Sequence, residues 1–188
     1  MLPVAGALER LGIAYFVGGS VASTAHGYPR STVDADLVAD VQFGHVAALV
    51  AALEADYYID AEMVREAIAD RSCFNVIHLP TMFKVDVFVS KNRAFDREVF
   101  ARKARRAVDP GEPESELFLA SAEDIILAKL EWYRLGNEVS ERQWRDVQGV
   151  VKMQWQRLDR AYLAKWAAAL EVADLLERAW HEAGGDPS

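Results

Sequence analysis

Apolar residues recur at helical spacing from the start of the chain, at Leu2, Ala5, Leu8 and Leu11, and stop at Gly12. That pattern predicts a helix over residues 2–11 closed by a glycine just past its end. Residues 13–17 form a short run rich in β-branched and aromatic side chains, which predicts a buried strand. Gly18-Gly19-Ser20 breaks that run and opens a short helix, 20–26, stopped by Gly27 and Pro29. From Val33 to Asp40 polar and apolar positions alternate, with Val33, Ala35 and Leu37 on one face and Asp34 and Asp36 on the other, so this is a strand. An apolar-striped helix over 43–55, a short strand at 57–59 and a helix over 61–70 follow. Residues 73–79 and 82–89 predict two strands joined as a hairpin around Pro80-Thr81. The segment 93–106 fits helix and strand equally.

A turn-rich break lies between Pro110 and Pro113, and beyond it the periodicity is helical. Ser121 suits an N-cap, with Asp124 three residues on and Glu123 in the first turn. The helix it opens runs to about Leu135 and ends at Gly136-Asn137. Further helices fit about 140–153, 158–168 and 171–182, with a frayed tail from Gly184. The expected architecture is α/β (α+β): a small mixed β-sheet core flanked by helices over residues 1–120, then a C-terminal helical extension over 121–188 packed on that core. No internal repeat is visible.

Composition narrows the class. The chain has 188 residues, 52% hydrophobic and 27% charged, which reads as a soluble globular protein. Its formal charge of −8 argues against a broadly basic nucleic-acid coat protein. Charge is uneven, however: residues 91–106 carry 7 basic and 2 acidic side chains. That stretch is either a solvated amphipathic segment or a strip that holds phosphates. Cys73 is the single cysteine, so internal disulfides and multi-cysteine zinc sites are excluded. The N-terminal residues lack a basic leader and place Glu9 where a signal peptide would be apolar. No apolar run approaches a membrane span. A cytoplasmic protein with no membrane partner is expected.

Two features carry chemistry. Gly18-Gly19-Ser20 sits between a strand and a helix, where glycine permits close approach of a phosphate and the helix start offers unpaired N–H groups. A tight turn with an ordinary serine cap explains the same residues. There is no Walker-type or G-x-G-x-x-G pattern. Asp34 and Asp36 then point to one face of their strand, and side-by-side carboxylates repel unless a cation lies between them. Asp86 lies on a separate strand, opposite in face to Val85 and Val87 and on the same face as Lys84. Three aspartates on adjacent strands make an all-oxygen site of the kind Mg²⁺ takes. Pairing of Asp36 with Arg30 and of Asp86 with Lys84 is the plainer account. The aromatic residues crowding the helical half, Trp132, Tyr133, Trp144, Trp155, Tyr162, Trp166 and Trp180, suit helix packing or a dimer face.

These residues resemble the nucleotidyltransferase (DNA polymerase β-like) superfamily. The carriers are Gly18-Gly19-Ser20, thirteen intervening residues, Asp34-Ala35-Asp36, and a distant Val85-Asp86-Val87. The run from Phe16 to Leu37, with Ser121 to Leu130 and Arg142 to Val147, is similar to the small bacterial branch that includes the abortive-infection type IV toxin nucleotidyltransferases. The resemblance spans about residues 10–150. It implies catalytic and metal-binding roles for Asp34, Asp36 and Asp86 with Mg²⁺ or Mn²⁺. It implies nucleotide contacts for Gly18, Gly19, Ser20, Arg30, Lys129 and Asp146. The longer spacing from Ser20 to Asp34 departs from many relatives and bears on the loop around Pro29 and Arg30.

Lys129 lies inside the apolar stripe of its helix and must find an anion or reach solvent. A mutual Lys129–Asp146 ion pair and a phosphate-facing role both fit. The implied reaction moves a nucleoside monophosphate from an NTP to a hydroxyl of RNA (such as a tRNA end), a protein or a small molecule. The toxin branch adds an antitoxin partner. A non-catalytic nucleotide-binding or interaction module that kept the fold is the alternative.

Overall fold

A computed structural model describes residues 1–27, 34–107 and 116–184. The chain divides into two compact units, Met1–Gly18 with Thr32–Leu119, and Gly19–Ser31 with Ala120–Ser188. The segment after the Gly-Gly step thus belongs with the C-terminal helices.

The first unit is built on a mixed sheet. Its strands are β1 (Tyr15–Val17), β2 (Asp34–Ala39), β3 (Tyr57–Tyr58), β4 (Cys73–His78), β5 (Lys84–Val89), β6 (Ala104–Ala107) and β7 (Glu116–Leu119), in the spatial order β3-β4-β5-β2-β1-β7-β6. β2 runs parallel to β5 and β1 parallel to β7, while the remaining neighbours are antiparallel. Ala35, Leu37, Ala39, Phe74, Val76, Val85, Val87 and Val89 are all buried and share the core face. The unit's helices are α1 (Leu2–Arg10), α3 (Val46–Leu53), α4 (Ala61–Asp70) and α5 (Ala94–Arg102).

Local chemistry sets their ends. Gly12 adopts φ +69°, its N–H donates to the Glu9 carbonyl at 3.0 Å, and the Ile13 N–H donates to the Leu8 carbonyl at 2.9 Å. This is a Schellman closure, and only glycine enters that conformation without strain. The Asp60 carboxylate caps α4 by accepting the Met63 N–H at 2.8 Å.

The ambiguous segment 93–106 contains both structures: α5 ends at Arg102, and β6 begins at Ala104. β7 was not legible as a strand. It has four residues and is held by pairing with β1, far away in sequence, and with β6.

The second unit comprises α2 (Gly19–His26), α6 (Ala122–Leu135), α7 (Glu141–Gln154), α8 (Arg160–Ala169) and α9 (Ala173–Glu182). Ser121, Ser140 and Asp159 each cap a helix by accepting a backbone N–H three residues on. Beyond its own cap, α6 is tied to the start of α8 by buried carboxylates. Asp124 accepts the Tyr162 hydroxyl at 2.6 Å and the Ser121 hydroxyl at 2.8 Å, and Glu123 accepts the Asp159 N–H at 3.1 Å. The Trp144 indole N–H donates to Glu182 at 2.7 Å, joining α7 to α9. Trp144 and Trp166 are buried, whereas Trp132 is exposed.

The end of α2 is clamped against α7. The His26 ring lies 2.9 Å from the Ala120 carbonyl, and the Gln154 amide donates to the His26 carbonyl at 2.8 Å. Gly27 sits in this contact: a Cβ there would lie 2.9 Å from the Ser23 carbonyl oxygen and 3.1 Å from the Val150 nitrogen. Both are backbone atoms inside packed helices, so neither can give way cheaply. Gly27→Ala is therefore expected to destabilise the protein by about 1–3 kcal/mol in denaturant titration, the usual cost of overpacking. A neutral effect would mean that α2 and α7 are not held in this contact.

Candidate active site

The parallel pairing of β2 with β5 sets Asp36 directly opposite Asp86 and Asp34 opposite Lys84. On the other side of β5, antiparallel pairing sets Asn75 of β4 opposite Asp86 and Cys73 opposite Phe88. Strand periodicity puts Asp34, Asp36, Lys84, Asp86, Asn75 and Cys73 on one face, away from the valine-rich core face. Among the described residues, these six carry formally three negative charges and one positive. The strand before the glycines reaches the same neighbourhood, since the Gly18 N–H donates to the Asp36 carbonyl at 2.9 Å.

Asp86 is the most enclosed of the three acids, at 9% exposure. The Asn75 amide donates to its Oδ1, and the Lys84 ammonium to its Oδ2 at 2.6 Å. The hydrogen bond to Asp86 raises Lys84 above the usual lysine range, against the lowering effect of desolvation. The charges of Asp86 and Asp34 add to the rise. Burial pushes the Cys73 thiol up to about 12, and the charges of Asp86 and Asp36 reinforce it. Cys73 is therefore a thiol at neutral pH, which removes it as a nucleophile.

The donor set is chemically right for a hard divalent cation: three carboxylates, all oxygen, on adjacent strands. As the side chains stand, no group of three or more His, Cys, Asp or Glu among the described residues is placed to hold a metal ion. On Asp86 the positive charge is supplied by Lys84.

The remaining expected residues lie in the helical unit or outside the described chain. Gly19 opens α2 with φ +51°, a left-handed conformation that favours glycine. Ser20 follows it and is buried, and the Arg142 guanidinium donates to its hydroxyl at 3.3 Å. Lys129 of α6 and Asp146 of α7 form an ion pair at 2.8 Å, each side chain 10% exposed. Arg30 lies outside the described residues.

No protein-family model matches the sequence, and no curated protein aligns with it. Solved structures do match. The antibiotic-resistance factor ANT(2'')-Ia in solution superposes with a TM-score of 0.55 at 13% identity, over 96% of this chain and 94% of that one. The same factor in complex with adenylyl-2''-tobramycin gives a TM-score of 0.56 at 13% identity, over 90% and 93%. An antigenic nucleotidyltransferase-like protein from Paracoccidioides brasiliensis gives 0.55 at 16% identity, over 95% and 89%. The chain has a nucleotidyltransferase fold. At these identities, what is shared is the fold.

Within that fold, the strand that ends the basic stretch 91–106 lies to one side of the acids. β6 carries Arg105 and Arg106 and stands three strands from β2, about 14 Å at ordinary strand spacing. Arg105 is engaged by Glu9 at 2.7 Å, and Arg93 by Asp96 at 2.9 Å. Asn75 was not foreseen as a partner of the acids. Its only sequence signal is a polar residue at a strand position that the hairpin sets opposite Asp86.

Three outcomes follow from these contacts. Because the Cys73 pKa is raised from 9.0 to about 12, its thiolate is suppressed in the fold. At pH 8.5 native Cys73 should react with iodoacetamide at least about tenfold more slowly than in the denatured chain, and equal rates would refute its burial beside the acids. The same shift contributes stability that is complete below about pH 9 and lost as pH rises toward 12. In the helical unit, Lys129→Met breaks the enclosed ion pair with Asp146. It should cost about 3–5 kcal/mol in chemical denaturation, with most of the loss recovered by Lys129→Met/Asp146→Leu.

Proposed function

We propose that this chain is a divalent-metal-dependent nucleotidyltransferase that moves a nucleoside monophosphate from an NTP to a hydroxyl acceptor. One observation carries the reading: Asp34 and Asp36 of β2 share a sheet face with Asp86 of β5, Asp36 and Asp86 in direct register, in a nucleotidyltransferase fold. Asp34, Asp36 and Asp86 would hold Mg²⁺ or Mn²⁺. When bound, such ions offset charge on the phosphoryl oxygens and lower the pKa of the attacking hydroxyl. Asp86, enclosed and oriented by Asn75, is the carboxylate best fitted to accept the acceptor's proton. Gly18, Gly19, Ser20 and Arg30 would hold the triphosphate, and Arg142, already on the Ser20 hydroxyl, adds positive charge there. Lys129 and Asp146 would act on the nucleotide through the fixed geometry of their pair.

The acceptor reading rests on charge. A net charge of −8 suits a cationic small molecule, and ANT(2'')-Ia is a factor of antibiotic resistance seen with an adenylylated tobramycin. The cationic strand β6, three strands from β2, suits RNA instead, as a toxin with an antitoxin partner would use it. RNA transfer would weaken steeply with salt, whereas small-molecule transfer would weaken far less. A cytoplasmic location fits the single cysteine and agrees with the lack of any described helix long and apolar enough to cross a membrane. The Lys84–Asp86 pair favours a second reading, a nucleotide-binding module whose catalytic acid is neutralised.

Calorimetric titration of each NTP with Mg²⁺ separates these readings. The wild type should bind in a metal-dependent way and turn over with an acceptor. Asp34→Asn/Asp36→Asn should lose metal-dependent binding, and Asp36→Asn alone should cut transfer at least about a hundredfold. Unchanged transfer by purified Asp36→Asn would refute the enzyme reading, and tight binding with no turnover across RNA and aminoglycoside acceptors would favour the module.

A further inference from the structure

Lys84 lies two residues before Asp86 on β5, so strand periodicity delivers its side chain to the carboxylate face. Its register partner on β2 is Asp34. Its ammonium sits 2.6 Å from Asp86 Oδ2, while Asn75 takes Oδ1. Both oxygens of the most buried acid are therefore occupied, one by a neutral amide and one by a full positive charge. The two partners differ in mobility as well as charge. Asn75 stands directly across the ladder and fixes the carboxylate's orientation. The Lys84 side chain is 41% exposed on a four-carbon stem, so its ammonium can swing into solvent without uncovering the core.

We propose that Lys84 is a built-in, displaceable counter-ion, so that a divalent cation enters this face by exchange with the ammonium. The inference rests on the metal-binding reading of Asp34, Asp36 and Asp86. Without metal, Lys84 offsets the charge of Asp86, which the sheet holds next to Asp36. With metal, the ammonium leaves Asp86 Oδ2, and Asn75 keeps Oδ1 and the orientation. Lys84 is thus a positioning residue that sets how readily the acids accept a cation.

Mn²⁺ titration of the full chain, read by electron paramagnetic resonance of the free ion, tests the exchange, with side-chain ammonium NMR of the wild type under Mg²⁺. Lys84→Met should lower the Kd for Mn²⁺ about five- to tenfold, because no ammonium must be displaced. Lys84→Gln repeats the test with a polar chain should the methionine variant misfold. The Lys84 ammonium resonance should move along the same isotherm as Mg²⁺ binding. If Asp36→Asn abolishes Mn²⁺ binding but Lys84→Met leaves Kd unchanged or raises it, the exchange is wrong and the metal site stands. A Lys84 resonance unmoved at Mg²⁺ saturation overturns it equally, since any tightening would then be through-space charge. If Mn²⁺ binding is absent from wild type and both Lys84 variants, or is insensitive to Asp36→Asn, the metal-binding reading itself fails and the exchange with it.

Discussion

Parallel, in-register pairing of β2 with β5 is the constraint on which the rest of this site depends. It fixes two opposite faces at once. On one, Ala35 and Leu37 meet Val85 and Val87 in the core. On the other, Asp34 and Asp36 meet Lys84 and Asp86. A slip of one residue would turn carboxylates toward the core and valines toward the polar face, so hydrophobic burial itself enforces the register of the acids. The chemistry of the polar face is thus specified by side chains that never touch it.

The two units use buried polar groups differently. In the helical unit, charges tie helices together: Lys129 to Asp146 between α6 and α7, Glu123 and Asp124 to the start of α8. These groups are enclosed, so their worth lies in geometry as much as in energy. On the sheet, Asp34, Asp36 and Lys84 are only half-buried. Polar groups there keep access to solvent, as a surface that receives a charged ligand must.

Much of this was legible in the sequence because the signals were local. Alternation over residues 33–40 revealed the face shared by Asp34 and Asp36. Pro80-Thr81 marked the hairpin, and Ser121 marked the start of α6. The apolar stripe around Lys129 called for an anion or a route to solvent, and Asp146 supplies the anion. What stayed hidden was long-range. Nothing local states that four residues at 116–119 complete a strand against β1, or that Tyr162 reaches back to Asp124. Asn75 became visible only once the hairpin register was known. The segment 93–106 resisted assignment because it changes structure partway, at Lys103.

The exposed strand β6 closes one side of the sheet, and its arginines bear on more than ligand binding. An uncovered strand edge is a template on which another polypeptide can add by backbone pairing. In β6, Arg105 and Arg106 point to opposite faces, so a strand approaching from either side of the sheet plane meets a guanidinium. A second copy laying its own β6 alongside would set like charges against one another, which disfavours that pairing. Positive charge at this edge thus works against pairing of one copy with another, whatever the acids three strands away are used for.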